Sequence, residues 1–160
     1  MSRRQPDVTF IEERATTSRS AEDVFAFFDR PANVKRVMPG SLAVTLESHP
    51  ADLRPGTIFA YRLKRWPLDL AWDTVVSEYR PPEGFTHVKA RGYFPKWVYR
   101  YSIVPEKADE RRTSLSISLA YEVPPGLYDT LSNSYVIRSA MKELVREQMR
   151  AICAALESGP

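Results

Sequence analysis

The chain has few of the residues that form disulfide bonds or bind structural metal ions. Among its 160 residues there is one cysteine, Cys153, and there are two histidines, His49 and His87. A single cysteine excludes an intramolecular disulfide, and one Cys with two distant His does not supply the four ligands of a structural zinc site. We therefore expect a fold held by its hydrophobic core, with no metal.

Long apolar runs are also missing. No stretch approaches the roughly 20 apolar residues that a transmembrane helix needs, and the N-terminal sequence MSRRQPDV lacks the apolar run of a secretion signal. We therefore expect a cytoplasmic protein with no integral membrane association. The formal net charge of +3 comes from scattered residues rather than a dense basic stripe, so nucleic-acid binding is not expected.

Aromatic residues, in contrast, are plentiful, with three Trp, eight Tyr and seven Phe. A chain of this length predicts a single domain over residues 1–160, and such a domain can bury a core and still leave room for a cavity. The aromatic side chains either fill that core or line a pocket, and composition alone leaves both alternatives open.

The first part of the chain predicts a strand followed by two short helices. Residues 7–17 favour extended structure, and Ser20 with Asp23 three residues later resembles a capping box at a helix start. Pro31 suits the first turn of a second helix, which the Pro-Gly pair at 39–40 ends.

From residue 42 the apolar pattern has a period of two, which predicts antiparallel strands with one buried and one wet face. Short turns between them favour a meander. The phase of the fourth of these strands is ambiguous, because either Phe85 and His87 or Thr86 and Val88 can face the core. The six strands are predicted from residue 42 to 46 and at 57–66, 69–79, 85–93, 97–103 and 114–123.

The remainder predicts a long helix to about residue 157. A curved seven-stranded meander needs a cover for its concave face, and this helix is the only element long enough to provide it. The predicted fold is therefore α+β, with a curved antiparallel sheet wrapped around the last helix and the two short helices closing one end. The helix presents one stripe, apolar except for Arg138, at Leu131, Tyr135, Arg138, Met141, Val145, Met149, Ile152 and Leu156.

This order of elements resembles the helix-grip superfamily called START-like or SRPBCC, over roughly residues 8–157. Trp72 with Val76 is similar to an aromatic and aliphatic pair of its polyketide cyclase/dehydrase-like branch. The other local matches to that branch are SAEDVFAFFDRPANVKRVMPG (20–40), LRPGTIFAYRL (53–63), GYFPKWVYRY (92–101) and TSLSISLAYEVPPG (113–126).

The resemblance implies a helix-grip fold and a cavity for a hydrophobic ligand, with polyketide ring closure or dehydration as the activity of that branch. It also implies histidines at the positions of Tyr99 and Tyr101, and an acidic residue at Ile117. This chain departs from the pattern at all three positions, so its site is expected to be more apolar and more phenolic.

The candidate ligand-binding residues come from the predicted inner faces of the strands and from the helix stripe. A buried Tyr hydroxyl needs a partner, and pockets with apolar walls and a few polar groups are the usual small-molecule sites. The alternative for each residue is a place in the packed core. The candidates are Tyr61, Trp72, Trp97, Tyr101, Ile117, Tyr121, Tyr135 and Met141.

Three residues are candidates for catalysis. Arg138 on the apolar stripe would bind a ligand carboxylate, phosphate, enolate or carbonyl, or else lie at the rim with its guanidinium in water. His87 would act as a general acid or base, or else be a half-exposed strand residue, and Tyr99 would hold a carbonyl. No nucleophile elbow, P-loop, dinucleotide fingerprint or HExxH motif is present, so any chemistry is expected to proceed without a cofactor.

Three functions stay open from the sequence. The first is a polyketide cyclase, aromatase or dehydratase of bacterial secondary metabolism. The second is a non-enzymatic carrier of a lipid, an isoprenoid quinone or another apolar ligand. The third is an interaction module that meets a partner protein. A homodimer is compatible with each of them.

Overall fold

The computed structural model describes residues 8–124 and 131–159, except for the side chains of 131–133. Seven strands form one antiparallel sheet in the order β1-β7-β6-β5-β4-β3-β2. All consecutive strands from β2 to β7 are neighbours, which is the predicted meander, and β1 pairs with β7. The strands are β1 (Thr9–Thr17), β2 (Val44–Leu46), β3 (Ile58–Arg65), β4 (Leu68–Arg80), β5 (Gly84–Gly92), β6 (Lys96–Glu106) and β7 (Asp109–Glu122).

Three helices complete the described fold: α1 (Ala21–Phe28), α2 (Pro31–Arg36) and α3 (Leu131–Glu157). The predicted start of α1 is confirmed, because the Ser20 side chain accepts a hydrogen bond from the Asp23 backbone N–H at 3.2 Å. Pro31 begins α2, where its missing N–H costs nothing. The predicted turn at Pro125 and Gly126 and the side chain of the stripe residue Leu131 lie outside what is described. In the part of the chain that is described, no helix has the length and apolar content to cross a membrane.

The sheet curls around α3, and ion pairs join the helix to strands far apart in the sheet. Glu143 accepts a hydrogen bond from Arg65 at the end of β3, at 2.7 Å. Arg146 lies 3.9 Å from Glu13 on β1. Since β1 and β3 are separated by four other strands, the sheet must wrap around the helix to reach both. The predicted helix-grip fold is therefore confirmed.

The inner face of the sheet is apolar in the predicted phase along β4, β6 and β7. Residues at every second position are buried, and they include Trp72 on β4, Trp97 on β6 and Ile117 on β7. The ambiguous phase of β5 is decided by two register shifts against β4, one between Asp73 and Thr74 and one between Val76 and Glu78.

Those shifts place Phe85 and His87 on the inner face of β5. Val76, which is buried on β4, pairs directly with His87, and directly opposed residues of an antiparallel pair share a face. At the other end of β5, Gly92 pairs with Trp72 at a φ of +112°. A Cβ at Gly92 would lie 2.5 Å from the Trp72 Cα, so the close approach of β5 to the tryptophan requires glycine.

The predicted face of α3 is only partly right. Met141, Val145, Met149, Ile152 and Leu156 are buried as expected, but Ile137, Ala140, Leu144 and Gln148 are buried as well. The prediction that Tyr135 and Arg138 belong to the buried stripe is wrong, since Tyr135 is 74% exposed and Arg138 is also exposed.

Helix geometry explains the error. At about 100° per residue, Tyr135 lies roughly 120° around the helix from Met141. Arg138 is only about 60° from Met141, but it lies on the side away from Ile137 and Ala140, which are both buried. The buried face is therefore centred near Ile137 at this end of the helix. Arg138 lies at the edge of that face, and its charge remains in water.

Candidate functional site

Aromatic rings form a continuous series through the interior, along the inner face of β6. Tyr101 stacks on Phe85 with ring centres 4.4 Å apart and contacts Tyr99 at 5.3 Å. Tyr99 in turn lies parallel to Trp97 at 6.2 Å, and Trp97 contacts Trp72 at 4.9 Å. The β-strand period places these side chains on one face, so rings line the interior along β6 from Trp97 to Tyr101.

The series has two ends, which we name for what they contain. The helical end lies against α1, where edge-to-face contacts of 5.3 Å join Phe25 to Tyr79 and Phe28 to Phe85. The indole end lies where β5 turns into β6. There Phe94 from the connecting turn packs on Trp72 at 4.9 Å and on Trp97 at 5.1 Å. The helical end consists of Phe25, Phe28, Tyr79 and Phe85, and the indole end of Tyr61, Trp72, Phe94, Trp97 and Tyr121.

Between the two ends lies a buried cluster of hydroxyl and amide groups. The Tyr99 hydroxyl donates a hydrogen bond to Oε1 of Gln148 on α3. The Tyr101 hydroxyl interacts with both Tyr99 and Gln148. Burial raises the pKa of Tyr99 and Tyr101 well above the ordinary value, and the neighbouring Tyr61 raises it further in both. Both phenols therefore stay protonated, and each carries one O–H donor.

His87 is buried beside this cluster, so the alternative of a half-exposed strand residue is wrong. It is 3% exposed, and its ring lies against Phe59 at 4.7 Å and Phe85 at 5.5 Å. Its Nδ1 lies 3.4 Å from the hydroxyl of Thr74. Burial lowers the pKa of His87 to about 3. The imidazole is therefore neutral at physiological pH and carries one donor and one acceptor.

Two buried donors at the indole end have no acceptor. The Nε1 atoms of Trp72 and Trp97 are inaccessible to solvent and lack a hydrogen-bond partner in the structure. The two indole side chains are themselves almost completely buried, at 1% and 2% exposure. Buried polar groups in folded proteins are nearly always paired, so an unpaired donor calls for an explanation.

The interior carries no formal charge among the residues that the structure describes. The buried polar side chains there are Thr, His and Gln, and no buried Asp, Glu, Lys or Arg is found with them. Nor do the described residues include a group of three His, Cys, Asp or Glu side chains that could hold a metal ion. The site as built is therefore a neutral, aromatic interior with several hydrogen-bond donors.

The structure brings most of the predicted site residues together and leaves two outside. Tyr135 and Arg138 line a surface depression of about 350 Å³ on the outer side of α3, shared with Lys142 and Glu143. They face away from the aromatic interior. Tyr61 is half-buried, and burial of its hydroxyl raises its pKa above the ordinary value. The interior contains the other nine candidates: Tyr61, Trp72, His87, Trp97, Tyr99, Tyr101, Ile117, Tyr121 and Met141.

Three interior residues were not singled out from the sequence. Gln148 lies four residues after Leu144 on α3, so helical periodicity alone would place it on the inner face. Thr74 follows Trp72 at strand spacing and has the same phase. Phe94 lies in a turn, where no periodicity applies, and an apolar residue between Gly92 and Pro95 is the only signal for it.

Comparison with known proteins gives a family for this arrangement. Residues 9–157 match the family model described as polyketide cyclase / dehydrase and lipid transport. The match covers most of the chain, including all seven strands and α3. The chain belongs to this family. The search of curated protein sequences found no match to the chain.

Solved structures of the same fold are distant in sequence. The Zhui aromatase/cyclase of Streptomyces sp. R1128 superposes with a TM-score of 0.73 at 10% identity and covers 94% of each chain. TTHA0849 of Thermus thermophilus gives 0.69 at 13% identity, covering 94% of this chain and 98% of its own. Norcoclaurine synthase of Thalictrum flavum gives 0.68 at 13%, covering 97% and 90%. At these low identities, the similarity of this family member to the three structures shows a common fold.

Proposed function

We propose that this family member binds an uncharged, hydrophobic small molecule between its sheet and α3, and that it acts as a carrier. The observation that carries the proposal is the continuous aromatic interior without buried charge. Aromatic walls with a few hydrogen-bonding groups favour apolar ligands. A charged ligand would find no counter-ion among the described interior residues, and an unpaired buried charge is very costly.

The proton chemistry of the interior favours binding over turnover. General acid–base catalysis works best with a pKa near the operating pH. Here burial moves the pKa of His87 to about 3 and raises those of Tyr99 and Tyr101, so neither kind of group exchanges protons readily near neutrality. The exposed Arg138 is also too far out on α3 to stabilise an enolate in this interior.

A ring-closing or dehydrating enzyme is the second candidate. The family description supports it, as does the placement of neutral His87 with Phe85 and Tyr101. The phenols would hold substrate carbonyls, and the imidazole would accept a hydrogen bond from an enol. In that case, compounds extracted from the protein should include two species that differ by one water. Substituting His87→Gln should shift their ratio toward the heavier one.

The proposed binding is tested first by native mass spectrometry of the purified protein, followed by organic extraction. An apolar compound released unchanged supports the carrier. The neutral dye Nile red then locates the site. Ile117 is fully buried on β7, opposite Tyr101, so the larger side chain of Ile117→Phe should weaken dye binding by reducing the space.

Arg138→Ala on the outer face of α3 is the matched control and should leave dye binding unchanged. Circular dichroism verifies that both variants are folded. Equal dye binding by all three proteins would place the dye outside the interior, and absence of both dye binding and co-purified ligand would overturn the proposal.

A further inference from the structure

Among the described residues, the indole N–H groups of Trp72 and Trp97 are the two buried side-chain donors without an acceptor. Their ring centres are 4.9 Å apart, so both groups belong to one part of the interior. Other buried polar groups nearby do have partners, as Tyr99 does with Gln148. The lack of an acceptor is therefore local to the indole end and is not a general property of this core.

An acceptor brought by a ligand would satisfy these donors. Indole Nε1–H can only donate a hydrogen bond, so a ligand hydroxyl would have to accept through its oxygen, and a carbonyl oxygen is the better match. A carboxylate would accept equally well, but it would bury a negative charge where the described interior offers no cation. The donors therefore select an uncharged ligand that carries carbonyl oxygens.

The indole end also has a place where the sheet is open. The last residues of β5 and β6 that pair with each other are Val88 and Val98, and the strands then separate toward the connecting turn. Phe94 of that turn is buried against both indoles. It contacts them from a short turn rather than from a strand or helix, so a small backbone movement there would change the space beside them.

We propose that Trp72 and Trp97 form a carbonyl-binding subsite, in which the paired indole N–H groups hold an oxygen of an uncharged aromatic or polycyclic ligand. This inference rests on the proposed function, since it assigns the ligand chemistry of the same interior. The rings of Trp72 and Trp97 provide apolar contact, and their N–H groups provide the orientation.

Fluorenone and fluorene test the subsite, because they share a ring system and differ in one carbonyl group. Protein labelled with nitrogen-15 at tryptophan gives three indole signals, which single Trp→Phe variants assign. Fluorenone should move the indole proton signals of Trp72 and Trp97 downfield, whereas fluorene should not. Trp66 is 92% exposed, so its signal serves as the internal control and should stay in place.

Affinities measured by calorimetry give the second readout. One or two neutral hydrogen bonds should make fluorenone bind about tenfold more tightly than fluorene. Trp97→Phe should reduce that preference to about threefold or less while fluorene still binds. Trp66→Phe is the matched control and should keep the full preference.

The outcomes separate the two proposals. If neither compound binds, the proposed function fails and the subsite fails with it. If both bind equally and the two buried indole signals do not respond to the carbonyl, the function stands and the subsite is wrong. A bound water that satisfies the indoles in its place would give that second result. Trp66→Phe identifies the exposed signal, so the two remaining signals decide the question even if Trp72→Phe or Trp97→Phe does not fold.

Discussion

The two ends of the interior differ in how their polar atoms are satisfied. At the helical end, the Tyr79 hydroxyl donates to Asp29 at 2.8 Å and accepts from Arg54 at 3.3 Å. At the indole end, the Nε1 atoms of Trp72 and Trp97 have no acceptor. Both ends are packed from aromatic rings at similar distances, so ring packing alone does not distinguish scaffold from site.

The difference indicates what each end is for. A cluster whose polar atoms are already hydrogen-bonded has no free donor or acceptor for a ligand, and it stabilises the packing of α1 on the sheet. An unbonded donor in the core costs stability, and such a cost is commonly found where a site must be ready for its ligand. We therefore interpret the helical end as scaffold and the indole end as the site.

The largest expected effect comes from replacing one buried phenylalanine at each end with alanine. Phe28 and Phe94 are both fully buried, and either substitution by Ala should lower the free energy of unfolding by about 3–5 kcal/mol. Fluorenone should restore more of the loss in Phe94→Ala than in Phe28→Ala, because the new cavity lies beside the indoles and ligand binding stabilises the folded state.

Urea denaturation with and without fluorenone measures both quantities. Equal recovery in the two variants would mean that the ends do not differ as ligand sites.

Between the two ends, the Gln148 amide is expected to contribute more to stability than either phenol alone. Gln148→Leu removes the amide partner of both Tyr99 and Tyr101, whereas Tyr99→Phe leaves the interaction between Tyr101 and Gln148 in place. Leaving one buried polar group unsatisfied costs about 1–3 kcal/mol. Tyr99→Phe should therefore lower the free energy of unfolding by an amount in that range, and Gln148→Leu should lower it by more.

Chemical denaturation ranks these variants. Tyr93 is 54% exposed, and Tyr93→Phe should leave stability unchanged as the matched control. If Gln148→Leu proves milder than Tyr99→Phe, the amide does not hold the two phenols.

His87 should make the fold less stable as the pH falls below about 6.5. Its pKa is about 3 in the folded protein and near 6.5 in the unfolded chain. Between these values the unfolded state binds the proton and the folded state does not, so stability decreases as the pH falls. At pH 5 the loss attributable to His87 is about 2 kcal/mol.

Unfolding free energies measured from pH 7 to pH 5 test this linkage. His87→Phe should flatten the dependence, since the side chain already packs between Phe59 and Phe85. A wild-type slope that survives in His87→Phe would assign the titration to another group.

Much of the fold could be predicted from the sequence because most strands keep strict alternation. The pattern on β6 and β7 identified the inner residues Trp97, Tyr101 and Ile117. The phase of β5 could not be predicted, because it depends on bulges against β4 that shift the register. A bulge is a property of two strands together, whereas a sequence pattern describes one strand at a time.

The site was predictable only where side-chain direction follows from local periodicity. Spacings of three and four residues fit Arg138 as well as Ile137 when extended from Met141 toward the start of α3, and only the packed structure shows that the buried face follows Ile137. The lack of an acceptor for the Trp72 and Trp97 donors could not be predicted from the sequence either. It depends on the absence of an acceptor in three dimensions, which no spacing in a single chain expresses.

The smallest expected effect tests the scaffold end directly. Tyr79→Phe removes the hydroxyl that joins Asp29 and Arg54 and should lower the free energy of unfolding by about 1 kcal/mol, as for a typical hydrogen bond. Calorimetry should find fluorenone affinity unchanged, because the hydroxyl lies at the end of the interior away from the indoles. If ligand affinity instead fell with the lost hydroxyl, the two ends would act as one site, and a bonded aromatic cluster could no longer be interpreted as scaffold.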